Sequence, residues 1–254
     1  QQHYQLLWDQ RVDSQWKIST GLHYTKGSGY YEQYKYDTKL SKFGLNAADF
    51  FNPDGGEIKR TDLINQKWMD NDFYGIVASA NYDNREGLTM NIGGGWNRYD
   101  GDHFGRYLWI KNYMGNPAGK EYYRNDARKI DGNIYGKVHW EFAKGLSAFA
   151  DLQYRHVSLR MDGPTDEWDG SEQLTYNIHS HYDFFNPKAG LFYDINPNIK
   201  AYASVAVAHK EPTRNDYEEN MNADLKAERL TDYELGVKYS SERLTAGANI
   251  YYMD

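Results

Sequence analysis

The chain has 254 residues, a formal net charge of -7 and a hydrophobic fraction of 40%, with aromatic residues at 16% and no cysteine. A mean hydropathy of -0.89 and the lack of any run of about 18 apolar residues exclude a transmembrane helix. The missing cysteines exclude disulfides and thiolate metal sites, and no basic block stands apart from acidic neighbours, so nucleic-acid binding is not expected. A β-barrel strand needs only about 9 to 11 residues that are apolar at alternate positions, so a membrane is still allowed.

The first two predicted strands form a hairpin. Residues 4–11 lead into a polar turn at residues 12–15, and the chain then returns with apolar and polar side chains in strict alternation. This period of two places one set of side chains on each face of a strand. The apolar set of the second strand is Trp16, Ile18, Thr20, Leu22 and Tyr24.

Four further hairpins with the same alternation follow along the chain. The strand pairs are predicted at 74–82 with 88–96, 134–142 with 146–154, 189–195 with 199–207, and 233–239 with 244–252. Short turns separate the two strands of each pair, at residues 83–87, 143–145, 196–198 and 240–243. The sequence therefore predicts about ten strands and five short turns.

Longer polar connections are predicted between these hairpins, at roughly residues 35–62, 101–130, 157–176 and 210–228. Short and long connections thus alternate, and the strands can be followed over a dozen or more residues. Soluble sandwiches have strands of about 5 to 6 residues and turns of mixed length. We therefore predict an all-β fold, an antiparallel transmembrane β-barrel.

The face opposite the apolar one carries small and polar residues, including Gly75, Ser79, Asn91 and Asp151. A close-packed core would leave such charges buried and unpaired, so this face is expected to line a wet or plugged lumen. Rings near the strand ends are candidates for the aromatic girdles of a membrane protein, although such rings can also fill a sandwich core. They are Trp16, Tyr24, Tyr82, Trp96, Trp140 and Tyr154.

A specific order of motifs appears in the last third of the chain. Asn186-Pro187-Lys188-Ala189-Gly190-Leu191 is followed by Tyr202-Ala203-Ser204, then Glu211-Pro212-Thr213, and then Glu228-Arg229-Leu230-Thr231-Asp232-Tyr233-Glu234-Leu235-Gly236. This order resembles the TonB-dependent receptors, with Ala227 where that family usually has proline. Residues 4–9 and 27–32 are similar to the Bacteroidetes-type members, so the resemblance extends over effectively the whole chain.

The resemblance implies a 22-stranded barrel of which residues 1–254 form a part, with the N-terminal plug, the TonB box and the final strands lying outside this chain. It also implies a bacterial outer-membrane location, contact with outer-membrane lipid, coupling to TonB, and an extracellular small-molecule ligand. The implied function is TonB-coupled import of a scarce nutrient through plug movement, with an iron chelate, haem or cobalamin as the first choice of cargo.

Three alternatives remain open at this point. A SusC-like importer of oligosaccharides or peptides would act with a surface lipoprotein, and a passive porin would need neither plug nor TonB. A soluble extracellular glycan-binding β-sandwich would bury the apolar faces between two sheets. No catalytic motif is present, so neither an enzyme nor a cofactor is predicted.

The predicted ligand-binding residues are rings and charges near the outer strand ends, which can stack on or pair with a chelate or a sugar. They are Tyr30, Tyr31, Tyr34, His103, Tyr107, Trp109, Trp168, His179, His181 and Arg214. Family-motif residues expected on the barrel wall are Glu211, Pro212, Arg214 and Glu234, and ion pairs made by Glu211 and Arg214 are the alternative to ligand binding.

No metal site is predicted. His179 and His181 lie on one side of a strand at a spacing that can hold a metal, but no third ligand is placed beside them. Asp162, Asp166 and Asp169 lack the spacing of a calcium-binding EF-hand loop and are expected to form a solvated acidic segment.

Overall fold

The computed structural model describes residues 1–53, 55–170, 172–220 and 224–254. Within these ranges ten strands form one antiparallel sheet, in which each strand pairs with the next along the chain. The strands are β1 (Gln2–Arg11), β2 (Trp16–Lys39), β3 (Arg60–Asp83), β4 (Leu88–Ile110), β5 (Glu121–Ala143), β6 (Leu146–Asp169), β7 (Glu172–Asn196), β8 (Ile199–Lys210), β9 (Glu228–Ser240) and β10 (Thr245–Met253).

Three short helices lie in the connections: the 3₁₀ helices Leu40–Phe43 and Ala47–Asp49 between β2 and β3, and the helix α1 (Arg214–Glu219) between β8 and β9. None of the helices in the described ranges has the length and apolar character needed to cross a membrane.

The five predicted short turns are confirmed, and side chains explain two of them. The Asp13 carboxylate accepts hydrogen bonds from the backbone N–H groups of Gln15 and Trp16, both at 2.7 Å. Asn196 does the same for the N–H groups of Asn198 and Ile199, both at 2.9 Å. Asp and Asn favour turns because their short side chains can satisfy the backbone locally in this way.

Two of the predicted long connections are wrong. Strands β4 and β5 continue to Ile110 and from Glu121, and β6 and β7 meet at a tight turn after Asp169, so most of residues 101–130 and 157–176 is paired strand. Strands β2 to β7 have 23 to 25 residues, or roughly 80 Å at about 3.3 Å per residue. In these extensions apolar and polar side chains do not alternate strictly, while the backbone pairing persists.

One face of the sheet, which we call the apolar face, carries the predicted apolar set. The strand register places Leu6 opposite Leu22, Leu22 opposite Ile76, and Ile76 opposite Trp96. The band continues in register to β10, where Ile250 lies opposite Leu235. Leu6 is 66% exposed and Ile250 70% exposed, and no second sheet covers them in the described ranges. The sandwich alternative is therefore wrong.

The opposite face, the polar face, is covered at the end of the sheet that carries the longer connections, which we call the outer end. The β2–β3 connection folds back onto the sheet and forms a small hydrophobic core with it. The Asn46 side chain caps the second 3₁₀ helix by accepting from the Ala48 N–H at 3.0 Å. Buried members of this core are Leu40, Phe50, Leu63, Tyr107, Ile110, Tyr122 and Tyr123.

Candidate functional site

The β8–β9 connection is fixed onto the polar face by the helix α1. Thr213, which follows Pro212, caps this helix: its hydroxyl accepts from the Asp216 N–H, and the Asp216 carboxylate accepts from the Thr213 N–H at 2.6 Å. The Tyr217 side chain is buried, and its hydroxyl lies 2.6 Å from the Tyr182 hydroxyl. The sequence predicts an exposed polar connection here, but the connection packs against β7 through Tyr217.

Glu211 joins this connection to strands β5 and β6 through ion pairs. Its carboxylate accepts from Lys129 Nζ at 2.6 Å, from Arg155 Nη1 at 2.8 Å and from Arg155 Nη2 at 3.0 Å. Asp131 holds the Nε edge of the same arginine at 3.1 Å. Burial favours a raised pKa for Glu211, but the hydrogen bonds from Lys129 and Arg155 outweigh it and lower the pKa to about 2. These contacts agree with the predicted ion-pair alternative for Glu211.

Arg214 and His103 come together on the polar face. Arg214 donates to Glu218 at 2.9 Å and to the Asn125 side-chain oxygen at 3.2 Å, and its guanidinium lies over the Tyr176 ring at 5.2 Å. Burial, together with the positive charge of Arg214, lowers the pKa of His103 to about 4. The imidazole is therefore neutral at pH 7.

A cleft of about 740 Å³ opens at the outer end, between the β2–β3 connection and the β6–β7 turn. The Trp168 ring lies against Gly44, where a Cβ atom would come within 2.2 Å of the ring. Its indole nitrogen is buried and has no hydrogen-bond partner among the described residues. Polar and apolar side chains share the lining, which includes Lys39, Leu45, Asn46, Lys59, Arg60 and Trp168.

The tip of the β6–β7 hairpin is held over the polar face by polar contacts. Lys67 on β3 pairs with Asp166, and Gln173 donates to the Tyr122 carbonyl at 2.9 Å and to the Thr165 carbonyl at 2.7 Å. The hairpin tip and the β2–β3 connection therefore lie over the same face and border the cleft between them.

The predicted ligand residues divide between the two faces. Tyr31, His103, Tyr107 and Arg214 face or pack on the polar side, and Trp168 borders the cleft. A bulge in β4 separates Tyr107, which pairs with Asn65, from Trp109, which pairs with Ile64, so these two rings point to opposite faces. Residues of the predicted set on the outward, apolar side are Tyr30, Tyr34, Trp109, His179 and His181.

The outward residues have partners of their own. The Tyr30 ring lies 4.4 Å from that of Trp68, His179 contacts Asp162 at 3.1 Å, and His181 stacks on His156 at 6.3 Å. No group of three possible metal ligands was found in the described ranges.

The acidic residues near the β6–β7 turn do not converge on a common point. Asp162 contacts Arg160 and His179 on the outward face, while Asp166 contacts Lys67 on the polar side. Glu234 lies on the polar face, where it accepts from the Tyr202 hydroxyl at 2.6 Å and from Asn249 at 2.9 Å.

Sequence reasoning missed most of the partners that hold this site together. Arg155 and Asp131 lie at polar positions of strongly alternating strands. Their opposite charges were the one feature of the sequence that could have predicted an ion pair. The others carry no local pattern that distinguishes them from solvent-exposed polar residues. The missed residues are Asn125, Lys129, Asp131, Arg155, Tyr176, Tyr217 and Glu218.

Comparisons with known proteins place this fold in context. A family model described as "TonB dependent receptor-like, beta-barrel" matches residues 1–254. The copper transporter OprC is 15% identical with a TM-score of 0.69, over 99% of this chain and 38% of that one. The siderophore receptor PiuA from Acinetobacter baumannii is 14% identical with a TM-score of 0.65, over 98% and 39%.

The ferric citrate transporter FecA, in its unliganded form, is 12% identical with a TM-score of 0.62, over 99% of this chain and 34% of that one. The chain thus spans about two fifths or less of the length of each of these structures. At such identities the likeness shows the fold.

Proposed function

Because the chain belongs to the TonB-dependent receptor β-barrel family, we propose that it forms part of the wall of a bacterial outer-membrane receptor that actively imports a scarce nutrient. The apolar band that runs in register across all ten strands carries this proposal, because only lipid matches such an exposed face. Import is driven by TonB, which acts on a plug inside the barrel.

The ligand binds at the outer end, on the polar side. Support comes from the cleft beside Trp168 and from the neighbouring pair of Arg214 and neutral His103. A buried N–H group without a hydrogen-bond partner is uncommon in folded proteins. An acceptor atom of a ligand would accept a hydrogen bond from the indole N–H of Trp168 after a small shift of the hairpin tip.

The cargo we favour is an anionic iron chelate, and haem and cobalamin are the other candidates. Three cationic side chains, Lys39, Lys59 and Arg60, border the cleft against the single carboxylate of Glu57. Arg60 is held by Asp37 at 2.9 Å and Lys59 lies 3.7 Å from Glu57, so Lys39 is the cation of the three for which the described ranges show no ion pair. The solved structures with this fold include receptors for ferric citrate and for siderophores.

Uptake by cells that produce the full-length protein tests the proposal. Labelled ferric citrate, a ferric catecholate, haem, cyanocobalamin and maltoheptaose are offered to cells with and without TonB. We expect TonB-dependent uptake of one of the first four. Uptake of maltoheptaose would favour the SusC-like alternative, and uptake that persists without TonB would favour a passive pore.

The site is tested with Trp168→Phe, which keeps a ring but removes the N–H donor. We expect the affinity for the imported ligand to fall about tenfold, in line with the loss of one hydrogen bond in a buried site. The matched control is Trp109→Phe on the outward face, which should bind as the wild type does. Equal affinity of both variants and the wild type would place the ligand elsewhere.

A further inference from the structure

A row of charged residues crosses the outward face just beyond the apolar band. The strand register aligns these residues across six neighbouring strands, so they form one continuous line on the side that carries the apolar band. In order from β2 to β7 the row reads Lys26, Asp72, Asp100, Arg128, Arg160 and His179.

Two arginines stand directly opposite each other in this row. Arg128 on β5 pairs in register with Arg160 on β6, and like charges at such a position destabilise a sheet unless something of opposite charge lies near them. Asp100 accepts from the Nε atom of Arg128 at 2.8 Å, and Asp162 accepts from the Nε atom of Arg160. Each carboxylate therefore binds the Nε atom of one guanidinium.

The terminal nitrogens of both guanidinium groups remain available. None of them has a hydrogen-bond partner within the ranges that the structure describes, and the two side chains are 46% and 50% exposed. Guanidinium nitrogens from two residues that are neighbours in register can donate to different oxygens of one oxyanion, and arginine is well suited to phosphate.

The position relative to the apolar band indicates where that oxyanion comes from. On β4 the first outward residue beyond Trp96 is Arg98, and on β5 the first beyond Ile130 is Arg128. Each is two residues past an apolar side chain, or about 7 Å along the strand. The polar headgroup region begins over a similar distance from the hydrocarbon.

Acidic residues lie both in the row of these arginines, where Asp72 and Asp100 stand, and in the next row away from the band. Arg98 also binds Asp100, through Nε at 2.6 Å and through Nη2 at 3.0 Å. The next row away from the band is acidic and lies farther from the hydrocarbon than the arginines do. Its members in register are Asp70, Asp102, Asp126 and Asp162.

We propose that Arg128 and Arg160 bind a phosphate group on the headgroup of an outer-leaflet lipid. This inference rests on the proposed function in one respect, because it requires that the apolar face lie in the outer membrane. The bound phosphate accepts from the terminal nitrogens that the two carboxylates leave unpaired, and it fixes the height of the barrel wall in the membrane.

The test uses the full-length receptor purified in detergent and native mass spectrometry. The probes are bisphosphorylated lipid A, a dephosphorylated lipid A, and inorganic phosphate. The variants are Arg128→Gln with Arg160→Gln, and Arg128→Lys with Arg160→Lys, which keeps both charges. Arg229→Gln is the control, since Arg229 pairs in register with His209 rather than with another arginine. Heat-modifiable gel migration checks that each variant is folded.

We expect the double glutamine variant to bind bisphosphorylated lipid A about tenfold more weakly than the wild type, the double lysine variant to lie between them, and the Arg229 variant to match the wild type. Equal binding by the wild type and the folded double glutamine variant overturns the proposal, as does equal binding of dephosphorylated lipid. Binding of inorganic phosphate as tight as that of lipid A overturns the lipid source. The lipid-binding test does not depend on transport. A receptor that shows no TonB-dependent uptake would contradict the proposed transport function and would leave the lipid-binding result as it is.

Discussion

Arg155 and Glu211 meet through two parallel hydrogen bonds, from Nη1 to Oε2 at 2.8 Å and from Nη2 to Oε1 at 3.0 Å. The two residues are 56 positions apart in the sequence, on strand β6 and in the β8–β9 connection. Glu211 is only 11% exposed, so the pair is screened less than an exposed pair would be. This contact fastens the connection that carries Arg214 to the barrel wall.

Glu211→Gln should loosen that connection. The variant removes the carboxylate that Lys129 and Arg155 share, although Arg155 keeps its pair with Asp131. We expect a loss of roughly 1 to 3 kcal/mol because the site is only partly buried. Faster proteolysis within residues 211–227 of the folded receptor is the readout. Lys210→Gln is the control, since its 3.6 Å pair with Glu228 is exposed. Equal cleavage of wild type and Glu211→Gln would contradict a fastening role.

The same pair gives a pH dependence. The folded pKa of Glu211 is about 2, below its ordinary value of 4.5, so its stabilising contribution is present above about pH 4.5 and is lost as the pH falls toward 2. Protection of residues 211–227 from an acid-active protease should decline over this window in the wild type. In Glu211→Gln the component due to this carboxylate should be missing, and an identical acid profile would refute the assignment.

His103 acts over a higher pH window. Its folded pKa of about 4 lies below the ordinary 6.5, so the unfolded chain takes up a proton first and stability falls as the pH drops from 6.5 to 4. In His103→Gln the thermal midpoint of the receptor should change less with pH between 6.5 and 4, while its pH dependence below 4 should remain. His139→Gln serves as the control, since His139 lies on the neighbouring strand β5, opposite Thr89.

Gly236 is required because an aromatic ring lies over it. A Cβ atom at this position would come within 2.2 Å of Tyr202 Cε1, and Tyr202 in turn donates to Glu234 at 2.6 Å. We expect Gly236→Ala to cost roughly 1 to 3 kcal/mol through overpacking, measured as a lower midpoint of heat-modifiable migration. Gly247→Ala on the neighbouring strand is the control, because its nearest atom is 3.6 Å away. Similar midpoints for both variants would rule out this reason for the glycine.

The apolar face should reject charge. Leu235, which is 53% exposed and pairs in register with Ala203 and Ile250, is expected to face hydrocarbon, where an arginine costs about 2 to 4 kcal/mol near the midplane. Leu235→Arg should reduce the amount of folded receptor in the outer membrane. Ser204→Arg, opposite Glu234 on the polar face, should be tolerated. Equal yields of the two variants would contradict the assignment of faces.

The sequence by itself determined the strands, the short turns and the two faces. Alternation with a period of two is a local property, and residues such as Asp13 and Asn196 satisfy the backbone of their own turns. The alternating segments were therefore found with the correct pairing. The extensions of β4 to β7 were missed because apolar and polar side chains do not alternate strictly there.

Only the tertiary structure decided which side chains form the site. A single bulge in β4 places Tyr107 and Trp109 on opposite faces. No residue pattern near the bulge predicts this change of face. The contacts of Trp168 with Gly44 and of Glu211 with Arg155 join segments that are far apart in the chain. Such contacts depend on how the connections fold back onto the sheet, and that is set by packing between distant residues rather than by local periodicity.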